Sequence, residues 1–183
     1  MKAALLAFAA LAACGSMPSA QRTASFPLAN ADFEQRPAVA GDCAPGWGCS
    51  SHADPASFRF FTGPGAPGGG TASLCIEPVK HEPWARVAQS RFDPALRGRH
   101  LRFSIDARLE GVTGSGAGAL VVAHDGHGGT IASRRSLLTG TRDWGSLFVD
   151  FEVPAAAAEV EVGAILEGRG RLCIDNAHVE VLP

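Results

Sequence analysis

The side chains of this 183-residue chain that could do chemistry are three tryptophans, six histidines and five cysteines; tyrosine is absent. In Pro83-Trp84-Ala85-Arg86-Val87-Ala88-Gln89, Trp84 and Arg86 share one strand parity and Val87 has the other. With Val87 facing a core, the indole and the guanidinium lie together on the opposite face. A flat apolar plate beside a hydrogen-bonding cation is a candidate ligand site. Trp144 precedes a strand and is expected in the core, whereas Trp47 lies in a cysteine-bounded loop, where it either covers the core or stands out. His124-Asp125-Gly126-His127-Gly128-Gly129 offers two imidazoles and a carboxylate to a metal. Asp-Gly and Gly-Gly between two strands signal a hairpin, however, and make these histidines solvated turn neighbours. The glycine-rich residues 111–118 lack the Gly-Lys-Ser/Thr ending of a phosphate loop, and Ser115 has Thr113 and Ala117 where a nucleophile elbow needs glycine at the second position on each side. No residue is assigned a catalytic role.

Four cysteines, Cys43, Cys49, Cys75 and Cys173, make two disulfides the default in an oxidising compartment, with three connectivities open. Spacing favours Cys43 with Cys49, which enclose the turn-prone Ala-Pro-Gly-Trp-Gly. Cys75 and Cys173 sit in near-identical contexts, Leu-Cys-Ile-Glu and Leu-Cys-Ile-Asp. If these strands pair antiparallel with the cysteines opposite, Leu74 faces Ile174, Ile76 faces Leu172 and Glu77 faces Arg171, which matches core with core and acid with base. A zinc site would need a Cys-x-x-Cys or a His-x-x-x-His pair, and neither is present.

The fifth cysteine belongs to an address. Met1-Lys2 followed by the apolar residues 3–13 has the layout of a secretory signal and is too short for a permanent anchor. It ends in Leu11-Ala12-Ala13-Cys14, which resembles the lipobox of bacterial lipoproteins. The resemblance implies cleavage before Cys14 and acylation of its sulfur, so that the membrane is one partner of the mature chain. Gly15 rather than Asp after that cysteine implies the outer membrane. Residues 1–13 are thus expected to be the signal peptide, 14–29 a flexible tether and 30–183 the folded domain.

Within that domain, residues 100–110 alternate Leu101, Phe103, Ile105, Ala107 and Leu109 against polar neighbours, the period of a half-buried strand. Residues 146–153 repeat the pattern, and 72–79, 85–90, 119–124, 130–137, 159–166 and 172–182 are further candidates. Glycine and proline turns separate them, and no segment beyond the signal carries a helical stripe with caps. Eight or nine short strands in one domain predict an all-β, two-sheet antiparallel sandwich. The 16 basic residues against 18 acidic ones supply no basic excess for nucleic acid.

The ordered pieces Asn30-Ala31-Asp32-Phe33-Glu34, Pro45-Gly46-Trp47, Trp84 to Gln89, Leu96-Arg97-Gly98-Arg99, Thr139 to Trp144, Phe151-Glu152-Val153-Pro154 and Ile174-Asp175-Asn176 are similar to the galactose-binding-like jelly-roll domains, which include many carbohydrate-binding modules. The resemblance implies a jelly roll and a structural calcium ion between the first and last strands, with Glu34 and Asp175 at the matching positions. The alternative is that Glu34 caps a turn and Asp175 bonds backbone amides. It also implies a non-catalytic envelope lipoprotein that binds a glycan, with Trp84 as the plate for a pyranose face and Arg86 for its hydroxyls. Gln89 matches a residue common in the family, but it shares the parity of Val87. The competing expectation is a structural or protein-interaction lipoprotein of the same fold, with an envelope protein as partner and all three tryptophans packed.

Overall fold

The computed structural model describes residues 26–182. Seven strands carry the fold: β1 (Gly48–Ser51), β2 (Phe58–Pro64), β3 (Ala72–Pro78), β4 (Ala85–Arg91), β5 (His100–His124), β6 (Thr130–Glu152) and β7 (Glu159–Leu182). Two single-turn 3-10 helices, Pro55–Ser57 and Pro94–Leu96, are capped by the carboxylates of Asp54 and Asp93, which satisfy amides that the short helices leave free.

The sandwich is one antiparallel sheet curled into two layers, because β5, β6 and β7 each run through both. One layer is ordered β2-β3-β7-β5-β6 and uses the second half of β7 with the first half of β5. The other is ordered β1-β4-β7-β5-β6 and uses the remaining halves. The fold is therefore the expected two-layer antiparallel jelly roll. It has fewer and longer strands than the sequence pattern implies. Segments 100–110 and 119–124 are one strand, as are 130–137 with 146–153 and 159–166 with 172–182. The sequence pattern ends strands at glycine, whereas here glycine bends a strand whose ladder continues through register shifts at residues 107–117. Gly168 shows why: its φ is +133°, and a Cβ there would run into the carbonyl of Thr113 on β5. The short strands β1 and β2 were not anticipated.

The alternating residues fill the space between layers. Leu101, Phe103, Ile105, Ala107 and Leu109 are buried, and they share one core with Val87, Val121, Val162 and Leu166 of the second layer. Trp47 belongs to that core, its Nε1 donating to the carbonyl of Asn30 at 3.1 Å and its ring 5.0 Å from Phe33. Trp144 does not. It is half-buried within β6, and β6 pairs only with β5, so no further strand covers it. The packed domain also starts before residue 30. Phe26 is buried, Leu28 packs on the core, and Ala29 exchanges two backbone hydrogen bonds with the Gln89 side chain. Apolar side chains at 26 and 28 close the sandwich end, so the expected 14–29 tether is too long at its C-terminal side. The signal and Cys14 lie outside the described residues.

Cys43 is bonded to Cys49 and Cys75 to Cys173. Leu74 faces Ile174 and Ile76 faces Leu172, while Arg171 reaches Glu77 at 2.7 Å. The register is the one that matched apolar and charged pairs predict.

Candidate functional site

Alternation on β4 places Ala85 and Val87 in the core and turns Arg86 and Ala88 outward. Adjacent strands add rows to the same outer face of the second layer. Ala88 lies beside Gly163, then Leu120, then Arg135, and the neighbouring rows carry Arg86 with Ile165 and Glu161 with Val122. Leu120, Val122 and Ile165 are only 4–6% exposed although they point away from the core. They form a second apolar cluster, against which Trp84 and Leu137 pack.

Trp84 is half-buried at one end of this cluster. Its ring centre lies 5.7 Å from the Arg86 guanidinium, a cation–π distance, and His52 meets it edge-on at 6.0 Å. Arg86 donates from Nε to Ser50 Oγ at 3.2 Å, and its Nη1 is 2.8 Å from Glu161 Oε1. His124 Nε2 lies 3.7 Å from the other Glu161 oxygen. Arg135 pairs with Glu167 at the far side of the cluster. An aromatic wall, an apolar floor and flanking ion pairs can hold a ligand that is apolar on one side and hydroxylated on the other.

The structure thus brings Trp84 and Arg86 together, as parity predicts, and adds Glu161, His124, Arg135 and Glu167. His124 corrects an expectation: its side chain is 12% exposed and faces Glu161, so it is no solvated turn neighbour. The turn is held by Asp125, whose Oδ1 accepts from the amides of His127 and Gly129, both at 2.8 Å. The signal for the missed residues was the unbroken apolar run of residues 117–123, the mark of a strand covered on both faces. Gln89 faces the other way and staples Ala29. A groove of about 500 Å³ lies away from this face, lined by residues 26–28, 31 and 177–181.

Glu34 and Asp175 converge on the loop between β2 and β3. Glu34 accepts from the amides of Thr71 at 2.6 Å and Ala72 at 2.7 Å and from the Thr71 hydroxyl at 2.9 Å. Asp175 accepts from the amides of Ala66 at 2.8 Å and Asn176 at 2.7 Å. N–H donors occupy the oxygens a calcium ion would take, and among the described residues no three acidic, His or Cys side chains cluster as ligands. The arrangement does not fit a calcium cage. It fits a carboxylate staple, and a chelator is expected to leave the melting temperature unchanged.

The two carboxylates respond to pH in opposite senses. The amides of Ala72 and Thr71 hold Glu34 below the usual carboxylate range, so its contribution is present above the ordinary Glu value and lost as pH falls through the lowered one. Burial pushes Asp175 up, against the amides of Ala66 and Asn176, with Glu34 and Asp106 adding repulsion. Its penalty is present above the raised value and relieved as pH falls through it. Glu34→Gln is therefore expected to be less stable than wild type at neutral pH, with the gap closing on acidification. Asp175→Asn is expected to gain on wild type as pH rises above the ordinary Asp value. Urea unfolding from below the ordinary carboxylate range up to neutrality measures both slopes.

No family model and no curated protein sequence matches the chain. Solved structures do. A family 22 carbohydrate-binding module of Clostridium thermocellum Xyn10B superposes with a TM-score of 0.52 at 17% identity, over 76% of this chain and 87% of that one. A putative sugar-binding protein from Bacteroides thetaiotaomicron gives 0.59 at 11% identity, over 85% and 99%. The fold is that of carbohydrate-binding modules. TmCBM61, solved in complex with β-1,4-galactotriose, gives 0.53 at 16% identity over 85% and 97%. The enzymatically active domain of tailspike protein 4 from bacteriophage CBA120 also matches, at 0.59 and 18% identity over 74% of this chain, but the chain spans only 19% of its length.

Proposed function

We propose that the protein is a non-catalytic lipoprotein of the bacterial cell envelope that binds a glycan on the outer face of its second layer. One observation carries this reading: Trp84 stands half-buried over an apolar cluster outside the core, with the Arg86 guanidinium beside its ring. A pyranose has one apolar face and a rim of hydroxyls, and it needs that pairing of plate and donor. Several of the structures sharing this fold are named for sugars, among them a xylan-binding domain and the galactotriose complex. The lipobox-like Leu11-Ala12-Ala13-Cys14 supports a lipid anchor on Cys14, and Gly15 favours the outer membrane.

The test is affinity electrophoresis of the fragment from Arg22 onward, which contains every core residue and both disulfides. It is run against xylan, β-1,4-galactan and a panel of envelope polysaccharides, with Trp84→Ala beside the wild type. Retardation that is lost in the variant supports the glycan site. Migration unaffected by any polymer overturns it and favours the protein-interaction lipoprotein.

A further inference from the structure

On the Trp84 face, two buried polar atoms have no hydrogen-bond partner in the protein: Glu161 Oε1 and His124 Nε2. Glu161 is 8% exposed. Arg86 Nη1 approaches the first oxygen to 2.8 Å without the alignment of a hydrogen bond, and His124 stops 3.7 Å from the second, beyond hydrogen-bond reach. An under-bonded carboxylate beside Val122, its register partner, is costly to folding. Nothing in the packing calls for it, since the core side of the strand is filled by Val160 and Val162.

We propose that Glu161, held between Arg86 and His124, is the hydroxyl-reading residue of this face and makes it select uncharged glycans over uronate-bearing ones. This rests on the glycan reading of the Trp84 face and goes on to assign the ligand's charge class. A ligand diol bridges the ion pair, one hydroxyl donating to Glu161 and its neighbour accepting from Arg86, with the sugar's apolar side on Trp84. A uronate carboxylate has no such place. Each arginine of the face is already matched by a carboxylate, Arg86 by Glu161 and Arg135 by Glu167. A ligand carboxylate therefore meets two like charges and no arginine without a carboxylate partner.

The experiment compares wild type, Trp84→Ala and Glu161→Gln on neutral polymers (xylan free of uronate side groups, β-1,4-galactan) and on polygalacturonate and alginate, with melting temperatures recorded for each. The expected wild type is retarded by a neutral polymer and not by the polyuronates. Glu161→Gln, close to isosteric, is expected to fold and to lose about tenfold or more in affinity for the neutral polymer, the loss typical of one charge-assisted hydrogen bond, while its discrimination against uronate narrows. Wild-type binding to polyuronate as tight as to neutral polymer overturns the proposal. So does a Glu161→Gln variant with unchanged affinity and selectivity. If Trp84→Ala loses binding while Glu161→Gln does not, the glycan site stands and this assignment alone falls. If no polymer binds, both fall. Should Glu161→Gln melt well below wild type, Arg86→Met supplies the second arm: it must lose affinity for the neutral polymer in parallel, and unchanged affinity counts against the proposal.

Discussion

Replacing Cys75 and Cys173 together by alanine is expected to destabilise the domain by about 4–5 kcal/mol, the loop-closure value for a bridge of this span, and to lower the melting temperature by about 10–15 °C for a domain of this size. The bridge closes a loop of 98 residues, so the unfolded chain gains much freedom when it is cut. The folded state also depends on it locally. β3 pairs with β7 over only three residues, Leu74 to Ile76, yet β3 carries the whole of β2 at the layer's edge. Phe58 and Phe60 of β2 enter the core across that short seam. The Cys43–Cys49 bridge closes only six residues, and its double alanine variant is expected to cost about 2 kcal/mol on the same basis. Urea unfolding of the two variants separates the cases, and equal losses would refute the loop-length argument.

Trp84→Ala is expected to reduce glycan affinity by at least about thirtyfold, the effect of removing a central aromatic anchor worth about 2 kcal/mol or more. Its cost to folding is expected to be much smaller. The ring packs on Leu120, Val122 and Ile165 outside the core, and the backbone carbonyl that accepts the His52 amide at 3.0 Å is kept in the variant. Loss of binding with a nearly unchanged melting temperature therefore identifies a binding residue. A parallel loss of both would make the indole a structural cover.

Local patterns made much of this legible. Strict alternation in residues 100–110 identified which side chains enter the core, since parity needs no knowledge of neighbours. The cysteine contexts specified a register, because a one-residue slip would set Leu74 and Ile76 on the charged outer face. Trp84 and Arg86 were assigned to one face by the same two-residue period. Where expectations failed, the missing information was non-local. The expectation that Trp144 is in the core rests on its place before a strand, but its burial depends on a neighbour that β6, paired only with β5, does not have.

The all-β class, the two disulfide pairs and the pairing of Trp84 with Arg86 are thus legible in the amino-acid sequence, because they follow from periodicity and local context. Packing between distant segments, not local pattern, bends three strands through both layers, buries Trp47 and fills Glu34 and Asp175 with loop amides. The same packing sets Glu161 between Arg86 and His124. The last of these depends on β4 meeting β7 across about seventy to eighty residues of chain and β5 meeting β7 across 35 or more, distances at which residue spacing carries no direction.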